Sequence, residues 1–98
     1  MKLTGKQKRF LRAEAHHLNP IFQVGKDGVN DNMIKQIGGE ALERRELIKI
    51  SILQNCMEDK DEVAESLADG TDAHIVQIIG NIIVLYKESE NHKEILLP

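Results

Sequence analysis

Along the first twenty residues, Phe10, Leu11, Ala15 and Leu18 recur at helical steps, while Lys6, Lys8, Arg9 and Arg12 fill the opposite arc at about 100° per residue. That pattern predicts an amphipathic helix with a basic outer face. Thr4-Gly5-Lys6-Gln7 has the form of a capping box, so the helix is expected to begin at Thr4. Asn19-Pro20 ends it, because proline disfavours helical geometry in the residue before it. Ile21 to Val24 reads as a short strand closed by Gly25-Lys26-Asp27-Gly28. Asn30 then suits the N-cap of a second helix carried by Met33, Ile34, Ile37, Ala41 and Leu42. Gly38-Gly39 inside that helix costs about 1 kcal/mol per glycine relative to alanine, which implies close packing or a bend there.

From Leu47 to Ile52 the period shifts to two, with Ile48, Ile50 and Ile52 against Lys49 and Ser51, as in a strand with one covered face. Asp59 to Ala68 returns to helical spacing through Val63, Ala64 and Leu67, with Gly70 expected to follow its end. Two apolar runs, "HIVQII" and "IIVLY", are separated by Gly80-Asn81 and read as a tight hairpin. Residues 88–98 have no clear period, although Ile95, Leu96 and Leu97 could dock as a loose tail. The order is α-β-α-β-α-β-β. It predicts an α/β (α+β) two-layer fold, with helices packed on a small four-stranded mixed sheet. Parallel neighbours are expected where helices intervene, and an antiparallel pair at the hairpin.

Composition narrows this picture only slightly. The chain has 98 residues, 41% hydrophobic and 30% charged, which suits one compact domain. No segment approaches the roughly 20 apolar residues of a membrane span, and the N-terminus is too cationic for a secretory signal, so a cytoplasmic location is expected. Cys56 is alone and has no partner for a disulfide.

Charge is more informative by location than by sum. The net charge is −3, yet residues 1–26 carry Lys2, Lys6, Lys8, Arg9, Arg12 and Lys26 against Glu14 alone. Between 58 and 72 the balance reverses, with Lys60 facing Glu58, Asp59, Asp61, Glu62, Glu65, Asp69 and Asp72. Each run taken singly is an ordinary solvated face. The basic run, however, leads into a glycine loop between a strand and a helix, where free amides and a positive dipole end suit a phosphate. Gly25 to Gly28 is too short for a nucleotide-binding P-loop and lacks the third glycine of a dinucleotide fingerprint. A G-x-x-G clamp on a nucleic-acid backbone and a plain turn both remain compatible with it.

Three stretches together carry a family resemblance: "LTGKQKRFLRAEAHHLNPIFQVGKDGVN", "ELIKI" at Glu46 to Ile50, and "VQIIGNIIVLYK" at Val76 to Lys87. They resemble the bacterial YhbY-type proteins, built from a single CRM domain, and the likeness covers most of the chain. The resemblance implies one RNA-binding domain over residues 1–98 and a fold similar to the C-terminal domain of translation initiation factor three. It also implies binding to ribosomal RNA of large-subunit precursors. The expected contacts are Lys6, Lys8, Arg9 and Arg12 on the first helix, Gly25, Lys26, Asp27 and Gly28 in the loop, and Lys87. Asp27 is expected to turn outward or cap a local amide. This sequence departs from the family pattern at Asn81 and Lys87, where a basic residue and an arginine are usual, and lysine cannot form arginine's two-pronged phosphate contact.

An enzymatic reading finds no company for His16, His17, His74, His92 or Cys56, so no catalytic residue, metal or cofactor is expected. Aromatic residues at 3% leave few rings for stacking on bases; Tyr86, closing an apolar strand, belongs either to the core or to such a contact. The expectation is a monomeric, non-enzymatic RNA-binding protein. The alternative is an adaptor of assembling ribosomes whose acidic helix meets a basic ribosomal protein.

Overall fold

A computed structural model describes residues 2–98. Helix α1 (Gly5–Ala15) leads to strand β1 (Pro20–Val24), followed by α2 (Asp31–Gln36), a π-helical turn (Ile37–Ala41) and α3 (Leu42–Arg45). Strand β2 (Leu47–Ile52), helix α4 (Lys60–Thr71), and strands β3 (His74–Ile79) and β4 (Ile82–Tyr86) complete the core. The sheet order is β1-β2-β4-β3, with β1 parallel to β2 and the other pairs antiparallel. The expected class holds: α+β around a four-stranded mixed sheet. The hairpin begins and ends where the two apolar runs placed it.

Local rules explain the helix starts. Thr4 Oγ1 accepts from the Gln7 amide at 3.1 Å and Gln7 Oε1 accepts from the Thr4 amide at 3.0 Å, closing the capping box. Asn30 Oδ1 accepts from the Met33 amide at 2.8 Å and starts α2. The double glycine lies in the π-helical turn. A Cβ on Gly38 would come within 3.3 Å of Thr71 Cβ, and one on Gly70 within 2.6 Å of Ile34 Cδ1. Glycine therefore sets the close approach of α4 to the helix before it. For the same reason Gly70 lies inside α4 rather than after it; Asp72, at φ 58°, forms the left-handed cap instead.

Tertiary packing adds two things that periodicity did not reveal. First, the helices cover both faces of the sheet, so the two layers expected become three, because β2 and β4 are apolar on both sides and each side needs a cover. Ile48, Ile50, Ile83 and Leu85 pack with α4 residues Val63 and Leu67, whereas Leu47, Val84 and Tyr86 point the other way and pack with Leu11 and Ala15 of α1. Strand β2 is buried on both sides as a result. Second, β4 inserts between β2 and β3, so these two run in the same direction without touching. Four of β4's five residues are buried, while β3 carries the polar His74 and Gln77 and takes the edge.

Glu46 ends α3 at φ 64°, and its buried carboxylate gathers the tail. It accepts from the amides of Ser89 at 2.8 Å, Glu94 at 2.7 Å and Ile95 at 2.9 Å. Glu43 accepts from the amides of Glu90 at 2.8 Å and Asn91 at 3.1 Å, and from Ser89 Oγ at 2.7 Å. Ile95 and Leu97 pack on the α1 side of the sheet, while Leu96 is exposed. The Glu90 amide, then the Ser89 hydroxyl and the Asn91 amide, lower the Glu43 pKa to about 2. Burial alone would raise Glu46, but the amides of Ile95, Ser89 and Glu94 outweigh it and hold that carboxyl below its ordinary range.

Candidate nucleic-acid interface

Helix α1 lies across the outer face of β2, β4 and β3, and its edge stands off the sheet to leave a cleft of about 670 Å³. Arg9, Arg12, His16 and His17 form one wall. Lys49 of β2, Gln77 and Ile79 of β3 and Val84 of β4 form the other. A neighbouring hollow of about 310 Å³ shares His17 and Lys49 and reaches Arg45. The helical period brings Arg9, Arg12 and His16 to one edge of α1, and the pleat puts Lys49 on the same sheet face as Leu47. Each position is dictated locally; their meeting is not.

These cations are uncompensated. Among the described residues the contacts between basic and acidic side chains are Lys93 to Glu88 at 2.8 Å and His92 Nδ1 to Glu43 at 3.4 Å, so Arg9, Arg12, Arg45 and Lys49 have no carboxylate within about 4 Å. A concave surface lined by one sign of charge concentrates field on an anionic ligand, even in a chain of net charge −3.

The other expected contacts are dispersed. Lys8 projects toward Lys2 and His74, on the side of α1 away from the cleft. Lys6 is exposed in the first turn of α1. Lys87 follows β4 at the end of the sheet opposite the glycine loop, half-buried, with its amide donating to Glu46 O at 2.9 Å. Tyr86 is 1% exposed, stacked on His74 and packed in the core, so base stacking by this ring is excluded in this structure. Burial, then the nearby Glu46 and Glu88 charges, raise its pKa.

The loop from Gly25 to Gly28 sits at the end of the sheet toward which Ile79 points, since β1, β2 and β3 all finish there. Lys26 and Asp27 are exposed at its tip. Gly28 is different: it is buried at φ 68°, its amide donates to Gly25 O at 3.0 Å, and the Glu58 carboxylate lies where a Cβ would project. The start of α2 is likewise flanked by acid, at Asp31 and Glu58, with one of its amides already held by Asn30. Gly28 thus serves the turn itself, because its left-handed backbone suits glycine, and a Cβ there would also push the Glu58 carboxylate aside. The exposed part of the loop is Lys26-Asp27, with Gly25 half-buried behind it.

Sequence reasoning missed Lys49, Arg45, Gln77 and Ile79 as neighbours of the basic helix. Lys49 had a signal, the one charge in a strand whose other residues are apolar except Ser51. Arg45 had none beyond its charge.

The family model for the CRS1/YhbY (CRM) domain matches residues 3–87. The chain belongs to this family. It is 72% identical over 96 residues to "Probable RNA-binding protein YqeI" of Bacillus subtilis, covering 98% of this chain and 99% of that one. Identity to "Probable RNA-binding protein MJ0652" of Methanocaldococcus jannaschii is 44% over 97 residues, covering 97% of this chain and 71% of the relative. The solution structure of SAV1595 from Staphylococcus aureus superposes with a TM-score of 0.81 at 58% identity, covering 99% of this chain and all of that one.

Proposed function

We propose that this protein binds RNA without catalysing a reaction, and that its target is ribosomal RNA in precursors of the large ribosomal subunit. The observation that carries the reading is the uncompensated cluster of Arg9, Arg12 and Lys49 along a concave surface. Phosphate contacts position a protein on RNA and supply most of the affinity, and this cleft offers them in a chain that is otherwise acidic. The relatives are named for RNA binding and not for a catalysed reaction. The ribosomal target rests on the family resemblance carried jointly by the first helix with its glycine loop, by Glu46 to Ile50, and by Val76 to Lys87.

Filter binding tests both levels of the proposal. Structured large-subunit ribosomal RNA should bind more tightly than unstructured RNA of the same charge. With about four to six phosphate contacts, the logarithm of affinity should fall with the logarithm of salt at a slope of about −3 to −4. A flat salt dependence overturns RNA binding through this surface, and equal binding of the two RNAs overturns the ribosomal target.

A second reading is favoured by α4, whose outward residues Asp61, Glu62, Glu65 and Asp69 are all exposed and make no ion pair among the described residues. That face suits a basic ribosomal protein, and the two surfaces are compatible in one molecule. Retained binding to assembling particles after reversal of the α1 charges would favour the adaptor.

A further inference from the structure

The cleft contains more than a phosphate-binding surface requires. Ile79, an aliphatic side chain, is 58% exposed among the cations and flanked by the Gln77 amide. Phosphate recognition gains nothing from an apolar side chain; a nucleobase does, because its faces are apolar and its edges form hydrogen bonds. The chain's larger aromatic rings cannot serve. Phe10 and Phe22 pack against the two core clusters and Tyr86 is buried. The flat rings left at the cleft are those of His16 and His17, both exposed, with centroids 5.7 Å apart and planes at 80°.

Resting on the RNA reading above, we infer that this cleft is a subsite for one unpaired nucleotide. Its base stacks on one ring of the His16-His17 pair, the other ring meeting it edge-on, with Ile79 against it in the same cleft; its edge meets the Gln77 amide, and the flanking phosphates meet Arg9, Arg12 and Lys49. The shape agrees. A hollow of about 670 Å³ lies within the range of roughly 300–1,000 Å³ typical of small-ligand sites, whereas a duplex keeps its bases paired and is recognised across its grooves. Histidine belongs with the aromatic side chains on which unpaired bases stack in RNA-binding domains. The ligand class is therefore single-stranded or extruded RNA, read by stacking, with phosphate contacts that carry no sequence information.

Fluorescence anisotropy with three probes tests this: a short single-stranded oligoadenylate, the same chain with abasic sites, and a duplex of equal length. The parent protein should bind the first at least about fivefold more tightly than either of the others, the lower bound for removing a stacked base. His16→Ala with His17→Ala should lose about tenfold on the oligoadenylate and almost nothing on the abasic chain. His16→Phe with His17→Phe should restore binding, and His16→Lys with His17→Lys should not. These positions are exposed, so an unchanged thermal midpoint separates lost stacking from lost fold. Equal binding of based and abasic chains overturns the subsite, as does rescue by lysine or normal binding by the alanine pair. If the parent binds none of the three probes nor ribosomal RNA, the RNA reading itself falls and the subsite with it.

Discussion

Glu43 and Glu46 on one side, and Arg9, Arg12 and Lys49 on the other, are clusters of like charge put to opposite uses. The two carboxylates are saturated from within: the amides of Ser89, Glu90, Asn91, Glu94 and Ile95 and the Ser89 hydroxyl all donate to them. The cations are saturated by nothing the described chain supplies. A charge that satisfies buried amides is an element of architecture, and removing it leaves donors stranded. A charge left free on a concave surface adds little to stability and remains available to a ligand. Charge count alone would have ranked the two clusters as equivalent.

The largest effect that could break this contrast is at Glu46. Glu46→Ala frees three backbone donors, of which the exposed Glu94 amide returns to water; with roughly 1.5–3 kcal/mol for each of the shielded bonds at Ser89 and Ile95, a net loss of about 3 kcal/mol or more is expected. Thermal melting should show a midpoint lower by roughly 12 °C or more, with RNA affinity retained in the cold where the variant is folded. A stable variant that loses RNA binding would reverse the roles assigned here.

Next in size is Arg9→Glu combined with Arg12→Glu. Two lost phosphate contacts of about 1.4 kcal/mol each correspond to roughly a hundredfold weaker binding. The same variant should melt within about 4 °C of the parent, because exposed charges change stability by about 0.5 kcal/mol or less. Normal affinity in a titration would make the basic arc an ordinary solvated face.

The clamp also predicts a direction with pH. Glu43 is lowered from 4.5 to about 2 in the folded protein, chiefly by the Glu90 amide, so its contribution is fully present above about 4.5 and is lost as pH falls toward 2. Glu46 is lowered too and acts in the same sense. Denaturant titrations across this range should find stability declining with acid, and Glu43→Gln should flatten the decline. An unchanged profile in that variant would remove Glu43 from the clamp.

The smallest effect belongs to Glu58, an exposed carboxylate over Gly28 in the loop that carries Lys26. Glu58→Gln removes an anion next to the loop and should strengthen RNA binding by about twofold to threefold, within the usual range for an exposed charge. Weaker binding in an anisotropy titration would mean that Glu58 holds the loop in its binding shape.

What could be read from the sequence were the features governed by near neighbours. The capping box at Thr4, the cap at Asn30, the two faces of α1 and the Gly80-Asn81 hairpin all depend on contacts within a few residues, and each occurs as the pattern implied. The family motifs were legible for the same reason, as short contiguous stretches. Gly38-Gly39 announced a close approach without naming what approached.

The tertiary structure alone decided that Thr71 and Ile34 are the partners of those glycine contacts, that β4 separates β2 from β3, and that Glu46 clamps a tail more than forty residues away. It also decided that Gly28 lies beneath Glu58, that Tyr86 belongs to the core, and that Lys49 faces Arg9 and Arg12. The physical reason is common to all of these. Helical and strand periods fix which way a side chain points relative to its own element, but the identity of what it meets depends on long-range packing, where the most apolar strand takes the centre of the sheet and charges are left wherever the folded chain places them.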